Sequence, residues 1–297
     1  YRKMIWLIYI LLSYTVASEI ESISGNDNKK TIKKFNIYED AVKFPSKNME
    51  NLIPPRPKEL IKEQIDQIKL EARNFTPMPV TSSDIAIINT SHGTMKLELY
   101  PDKAPNHCLN FKKLANSGFY DGTIFHRVIP GFMIQGGDIL SRDGIPENDG
   151  TGNPGWTVDQ EFNDIKHSRG ILSMARSRDV NSAGSQFFIC TDEAYHLDNK
   201  YTVFGNLIDG DNILDIITGI PSESKQMIKS FKIEIPDNQS DENWIEYMLG
   251  WKKYFVKVPK STTADIYKNL IKKRLRNKHR PFIPVTIKSI RVVDLND

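Results

Sequence analysis

Between Asp84 and Tyr100 the chain spells out a β-hairpin: Ile85-Ala86-Ile87-Ile88-Asn89-Thr90, a Ser91-His92-Gly93 turn, then Met95-Lys96-Leu97-Glu98-Leu99-Tyr100 in strict apolar–polar alternation. A period of two assigns alternate side chains to opposite faces, so this pair is half-buried, and a domain covering residues 82–297 starts with it. One helix follows, opened by Pro105, with Ala104, Cys108, Phe111 and Ala115 at helical spacing and Gly118 as its stop. Strand patterns dominate from Gly122 to Phe204 around a glycine-rich loop at Ser141 to Gly155, and a short helix is expected at Asp211 to Thr218. A doubly wound sheet needs a helix after nearly every strand, which this pattern excludes. The fold class is mainly β, an antiparallel barrel or sandwich with helices capping its open ends. Val285 to Val293 reads as a last strand, so the polar, partly helical residues 221–284 form an insertion before it.

Ahead of the hairpin, residues 19–81 read as a polar N-terminal extension with one helix, Lys58 to Arg73, whose Ile61, Ile65, Ile68 and Ala72 share a face that docks on something. Residues 1–18 have the layout of a signal peptide: Arg2 and Lys3, an apolar run from Met4 to Leu12, then small residues at Ala17 and Ser18. The run is shorter than the about 20 residues a spanning helix needs. The expected localisation is therefore the secretory pathway, in the endoplasmic reticulum lumen or outside the cell. Charged residues make up 26% of the chain, which excludes a protein of many membrane spans, and a net charge of +3 gives no ground for nucleic acid as a partner. Cys108 and Cys190 both fall in apolar elements and are expected to be buried, unpaired thiols.

The chemistry concentrates in Phe125-His126-Arg127-Val128-Ile129-Pro130-Gly131-Phe132-Met133-Ile134-Gln135-Gly136-Gly137-Asp138, followed in order by Gly184-Ser185-Gln186-Phe187-Phe188-Ile189-Cys190-Thr191 and by Leu197-Asp198-Asn199-Lys200-Tyr201-Thr202-Val203-Phe204-Gly205. With Tyr120-Asp121-Gly122 before them and Ser173-Met174-Ala175 between, these blocks make the chain similar to the cyclophilin family of proline isomerases over about Asp84 to Gly219 and again at the last strand. The resemblance implies a closed eight-stranded antiparallel barrel capped by two α-helices. It places the catalytic arginine at Arg127, with Phe132 and Gln135 as catalytic partners, and substrate contacts at Met133, Ala175, Gln186, Phe188, Leu197, His196 and Tyr201. Two of these positions depart from many relatives: His196 stands for a tryptophan and Tyr201 for a histidine. Arg176 replaces a residue that is often asparagine.

The residue types suit that role. Rotation about an X-Pro bond faces a barrier of roughly 18–20 kcal/mol because amide resonance is broken. No bond to carbon is made, so neither a nucleophile nor a cofactor is needed. As the bond twists, the proline nitrogen recovers its lone pair and can accept a hydrogen bond that the planar ground state cannot, and a guanidinium beside it stabilises that state selectively. Proline-containing polypeptides are the expected partners. Cyclosporin is expected to bind with weakened affinity, since His196 offers less apolar contact than tryptophan. A proline-peptide binding or scaffold module without catalysis is the alternative, which the presence of Arg127 disfavours. The histidines lack metal-ligand spacing, so no metal site is expected, and His126 is read as a satisfied structural histidine on the strand face opposite Arg127. In the insertion, Trp244, Tyr247, Met248 and Trp251 recur at helical spacing, as a helix face packed on the parent domain would. Residues 268–280 carry seven lysines or arginines and no acid, a basic segment suited to an acidic partner or a membrane surface.

Overall fold

The computed structural model describes residues 59–239 and 243–296. The expected signal peptide and the extension before residue 59 lie outside the described residues. The predicted hairpin is β1 (Asp84–Thr90) and β2 (Gly93–Leu99), paired so that Ala86 faces Leu97 and Ile88 faces Met95. All four of these side chains are fully buried, as the alternation requires. α2 (Pro105–Asn116) then packs Phe111 against Tyr120, Phe187 and Phe204, with ring centroids 5.3–5.5 Å apart. Its proline occupies the first turn, where the missing N–H costs nothing.

Further along come β3 (Arg127–Ile129), β4 (Met133–Gly136), β5 (Ile171–Met174), β6 (Phe187–Cys190), β7 (Val203–Asp209) and β10 (Ile287–Asp294). Together with the hairpin they build one curled eight-stranded sheet in the order β10-β1-β2-β7-β5-β6-β4-β3. Every neighbouring pair is antiparallel. The edge strands β3 and β10 share no ladder. Their flanks meet through a bridge between Ile124 and Thr286 and through Phe125 N donating to Val285 O at 2.9 Å.

The helices at this core exceed the two expected caps. α2 and α3 (Asp211–Gly219, with Ile213, Leu214 and Ile217 inward) both pack there, and α1 (Lys62–Asn74) adds Ile65 and Ala72 to the same cluster. α1 begins later than predicted, because the Gln64 side chain accepts from Ile61 N at 3.1 Å and makes Ile61 the cap. Ile61 is therefore exposed instead of packed. At the other end the ammonium of Lys113 donates to the carbonyls of Arg73 and Phe75 at 2.8 and 2.6 Å, satisfying carbonyls the helix leaves open.

Residues 221–284 fold around a small apolar centre of their own. α4 (Glu223–Ser230), the hairpin β8 (Trp244–Leu249) and β9 (Lys252–Lys257), and α5 (Ala264–Arg276) enclose Phe231, Val256 and Ile271. The helix predicted over Trp244 to Trp251 is corrected here: this stretch is strand and turn. Ile245 pairs with Val256 and Tyr247 with Tyr254, while Gly250, at φ +60°, makes the turn. Trp251 sits fully exposed at the tip, so it packs on nothing in the parent sheet. The helical spacing of the aromatics was a coincidence within a run that also alternates.

Candidate active site

Three short strands set the groove. The ladder places Arg127 opposite Gln135, Gln135 opposite Phe188, and Phe188 opposite Ser173. Directly paired residues point to the same side of a sheet, so these four side chains form one row across β3, β4, β6 and β5. Their neighbours Val128, Ile134, Ile189 and Leu172 point the other way, into the main core.

The half-buried guanidinium of Arg127 donates from Nη1 to Gln135 Oε1 at 3.1 Å. Gln135 Nε2 donates onward to Gln186 Oε1 at 3.0 Å, and Gln186 Nε2 to Gly152 O at 2.9 Å. This relay fixes both glutamine amides and ties the groove to the glycine-rich loop. Burial lowers the Arg127 pKa from its ordinary value, but a guanidinium starts high enough to stay charged.

Beside this polar edge lies an apolar cluster of Met133, Phe188, Cys190, Ala194 and Leu197, against which Phe132, Ala175 and Tyr201 pack. Arg127, Phe132, Met133, Gln135, Ala175, Gln186, Phe188, Leu197, His196 and Tyr201 thus all contribute to one strip of surface. His196 is exposed on a short turn, with its ring 5.3 Å from that of Phe132. Tyr201 meets Phe188 edge-on at 5.8 Å, and the Arg176 guanidinium lies 4.7 Å over the Tyr201 ring while donating to Lys200 O. The departures at Arg176 and Tyr201 are therefore partners in one cation–π stack.

Sequence reasoning missed the support under Phe188. His167, fully buried, lies parallel to the Phe188 ring at 6.0 Å; its Nδ1 is 3.0 Å from Asp198 Oδ1 and its Nε2 3.1 Å from Ser173 Oγ. Ser173 spends its one hydroxyl proton on Thr202 O at 3.0 Å. These residues are separated in the sequence by strands and turns, and the Ser-Met-Ala and Leu-Asp-Asn triplets alone gave no sign that they meet. His126 is buried just ahead of β3, with its Nε2 next to Gly150 of the glycine-rich loop, and it is not fully satisfied: its buried Nδ1 has no hydrogen-bond partner. Burial, reinforced by Arg127 and Arg280, pushes its pKa down to about 4, so it is neutral at neutral pH. Among the described residues no group of three or more His, Cys, Asp or Glu is placed to hold a metal.

The family model for cyclophilin type peptidyl-prolyl cis-trans isomerases matches residues 85–235. A peptidyl-prolyl cis-trans isomerase of Synechococcus elongatus is 47% identical over 128 residues, covering 43% of this chain and 83% of that protein. Peptidyl-prolyl cis-trans isomerase B of Bacillus subtilis is 48% identical over 118 residues, covering 39% and 77%. A Cryptosporidium parvum cyclophilin type isomerase crystallised in the presence of the dipeptide Ala-Pro aligns with a TM-score of 0.47 at 30% identity, covering 70% of this chain and 98% of that one.

Proposed function

Since the chain belongs to the cyclophilin family of peptidyl-prolyl cis-trans isomerases and is an isomerase of that type, we propose that it turns over X-Pro bonds of secretory-pathway polypeptides with Arg127 as the catalytic group. The observation that carries this reading is the Arg127 guanidinium held 3.1 Å from Gln135 Oε1 at the border of the apolar cluster. The pyrrolidine ring settles among Phe132, Met133, Phe188 and Leu197, where water is excluded and the guanidinium's field is weakly screened. Ala175 and Gln186 line the path of the preceding residues, and Gln135 accepts or donates to the peptide backbone. As the amide twists, a free N–H of Arg127 donates to the pyramidal proline nitrogen. The planar ground state has no such acceptor, so the contact lowers the barrier without tightening substrate binding equally.

Several finer readings belong with this. The sheet works as a barrel closed across the β3 and β10 flanks, which keeps the catalytic edge strand from splaying. His196, in place of a broader indole, weakens cyclosporin binding. The basic segment 268–280 serves contact with an acidic partner or a membrane surface. Residues 1–18 are removed as a signal peptide, and N-terminal sequencing of the protein from its own cells should begin near Glu19; an intact Met4 in the mature protein counts against the localisation.

Catalysis is tested on the full chain by exchange NMR on a short Ala-Pro peptide. Cross-peaks between cis and trans proline resonances at substoichiometric protein support the reading. Their absence, with the peptide bound, supports a binding module.

A further inference from the structure

The insertion reaches the catalytic strand through its main chain. His279 O accepts from Val128 N at 2.8 Å, next to Arg127 and on the side of β3 that β4 leaves open. The same turn is gripped by the start of α4, where Glu223 N donates to Arg280 O at 2.8 Å and Ser224 Oγ to Lys278 O at 3.5 Å. A buried ion pair between Arg280 and Asp149, 3.2 Å apart, fastens it to the glycine-rich loop. Lys278 and His279 are therefore fixed on one border of the groove, with Lys225 of α4 following directly after Ser224.

The charges there are unbalanced. Lys273 and Arg274 of the basic segment face Glu147 and Glu223 at 3.9 and 3.5 Å, and Arg280 has Asp149. Lys225 and Lys278 are exposed, and neither has an ion-pair partner among the described residues. Burial, with the charges of Arg127, Lys278 and Lys225, lowers the pKa of His279, so its imidazole adds no positive charge at neutral pH. The local field is that of Arg127, Lys225 and Lys278, together with Arg280, which Asp149 balances only in part because burial raises its carboxyl to about 7.

We infer that Lys225 and Lys278 form a cationic rim on the Arg127 side of the groove, which selects proline peptides carrying a carboxylate side chain a few residues from the proline. This rests on the isomerase reading of the groove. The geometry behind it is the hydrogen-bonded docking of the 278–280 turn against β3 and α4. A carboxylate arriving at this border meets two free ammonium groups and lies in the field of the catalytic guanidinium. Exposed pairs are individually weak, so the rim acts mainly on capture of the substrate, and salt screens it.

The test is a scan of Ala-Pro peptides bearing a single Glu, Ala or Lys at each flanking position, measured for kcat/KM and, by calorimetry, for Kd. The full chain and its Lys225→Glu/Lys278→Glu double variant are compared at low and at high salt. At one flanking position or more, the wild type should favour Glu over Lys by about threefold to tenfold at low salt, through KM and Kd more than kcat. The preference should shrink in high salt and vanish or reverse in the double variant, whose turnover of the all-Ala peptide stays within about twofold of wild type. Equal constants for Glu and Lys peptides at every position, or a preference that the double variant keeps, would overturn the inference. Loss of turnover on all peptides with the Glu preference in Kd retained would strike the isomerase reading and leave the rim standing. Tight binding to anionic vesicles or RNA without discrimination among peptides would assign the rim to another partner.

Discussion

Two single histidines, one exposed and one buried, make separate predictions. His196 is exposed against Phe132 and contributes only a small ring to the groove's outer edge. His196→Trp adds apolar cover and an indole donor, so cyclosporin should bind more tightly by about 2 kcal/mol, on the order of thirtyfold, with peptide turnover little changed. Isothermal titration giving one dissociation constant for both proteins would remove His196 from the ligand site. His126, buried ahead of β3, bears on stability. Its native pKa of about 4 lies below the ordinary histidine value, so the unfolded chain binds the proton first as the solution is acidified. Its contribution is intact above about pH 6.5 and is lost as pH falls to about 4, worth about 3 kcal/mol over that window. Asp149 runs in the opposite sense, because burial raises its carboxyl to about 7, so the His126 effect must be taken as a difference. Stability measured by urea unfolding should fall less steeply between pH 6.5 and 4 in His126→Gln than in wild type; parallel curves would show that His126 titrates normally.

Among the elements, what the sequence discloses depends on how local the determinant is. The β1–β2 hairpin and α2 were readable because alternation, a proline at the first turn and a stopping glycine act within a few residues. Eight of the ten groove residues were readable for another reason: they stand in three dense motif blocks, with Ala175 and His196 just outside them, and the antiparallel ladders bring those blocks side by side. The β8–β9 hairpin was not readable, since its aromatics satisfy helical and strand spacing alike and cross-strand pairs such as Tyr247 with Tyr254 decide between them. The His167–Asp198–Ser173 support under Phe188 was hidden too, because it depends on tertiary proximity alone. The anchoring of the insertion belongs to this second kind. Arg280→Ala strips the partner from buried Asp149, whose carboxyl lies at about 7, so it should cost about 1 kcal/mol at pH 8 and less at pH 6, with Asp149→Asn in the same chain recovering part of it. Thermal unfolding checks both variants; an unchanged midpoint for Arg280→Ala would mean the pair does not hold the turn in place.

At the scale of the molecule, the apolar clusters divide the labour. The main core joins α1, α2 and α3 to the sheet interior, a second cluster on the opposite side of β4 and β6 floors the groove, and a third stabilises residues 221–284. Cys108 and Cys190 are buried in the first two, and burial pushes both thiols up to about 12, so they should resist alkylation until the chain unfolds. The groove therefore sits on a scaffold that does not depend on Arg127 for its packing, which separates catalysis from stability in a way that can be measured. The most direct measurement is kcat/KM for a proline tetrapeptide with the full chain and its Arg127→Ala variant, alongside their unfolding midpoints. A loss of about a hundredfold or more in kcat/KM with a nearly unchanged midpoint is the predicted result. Equal kcat/KM in the two proteins would contradict the assignment of Arg127 as the group that stabilises the twisted amide.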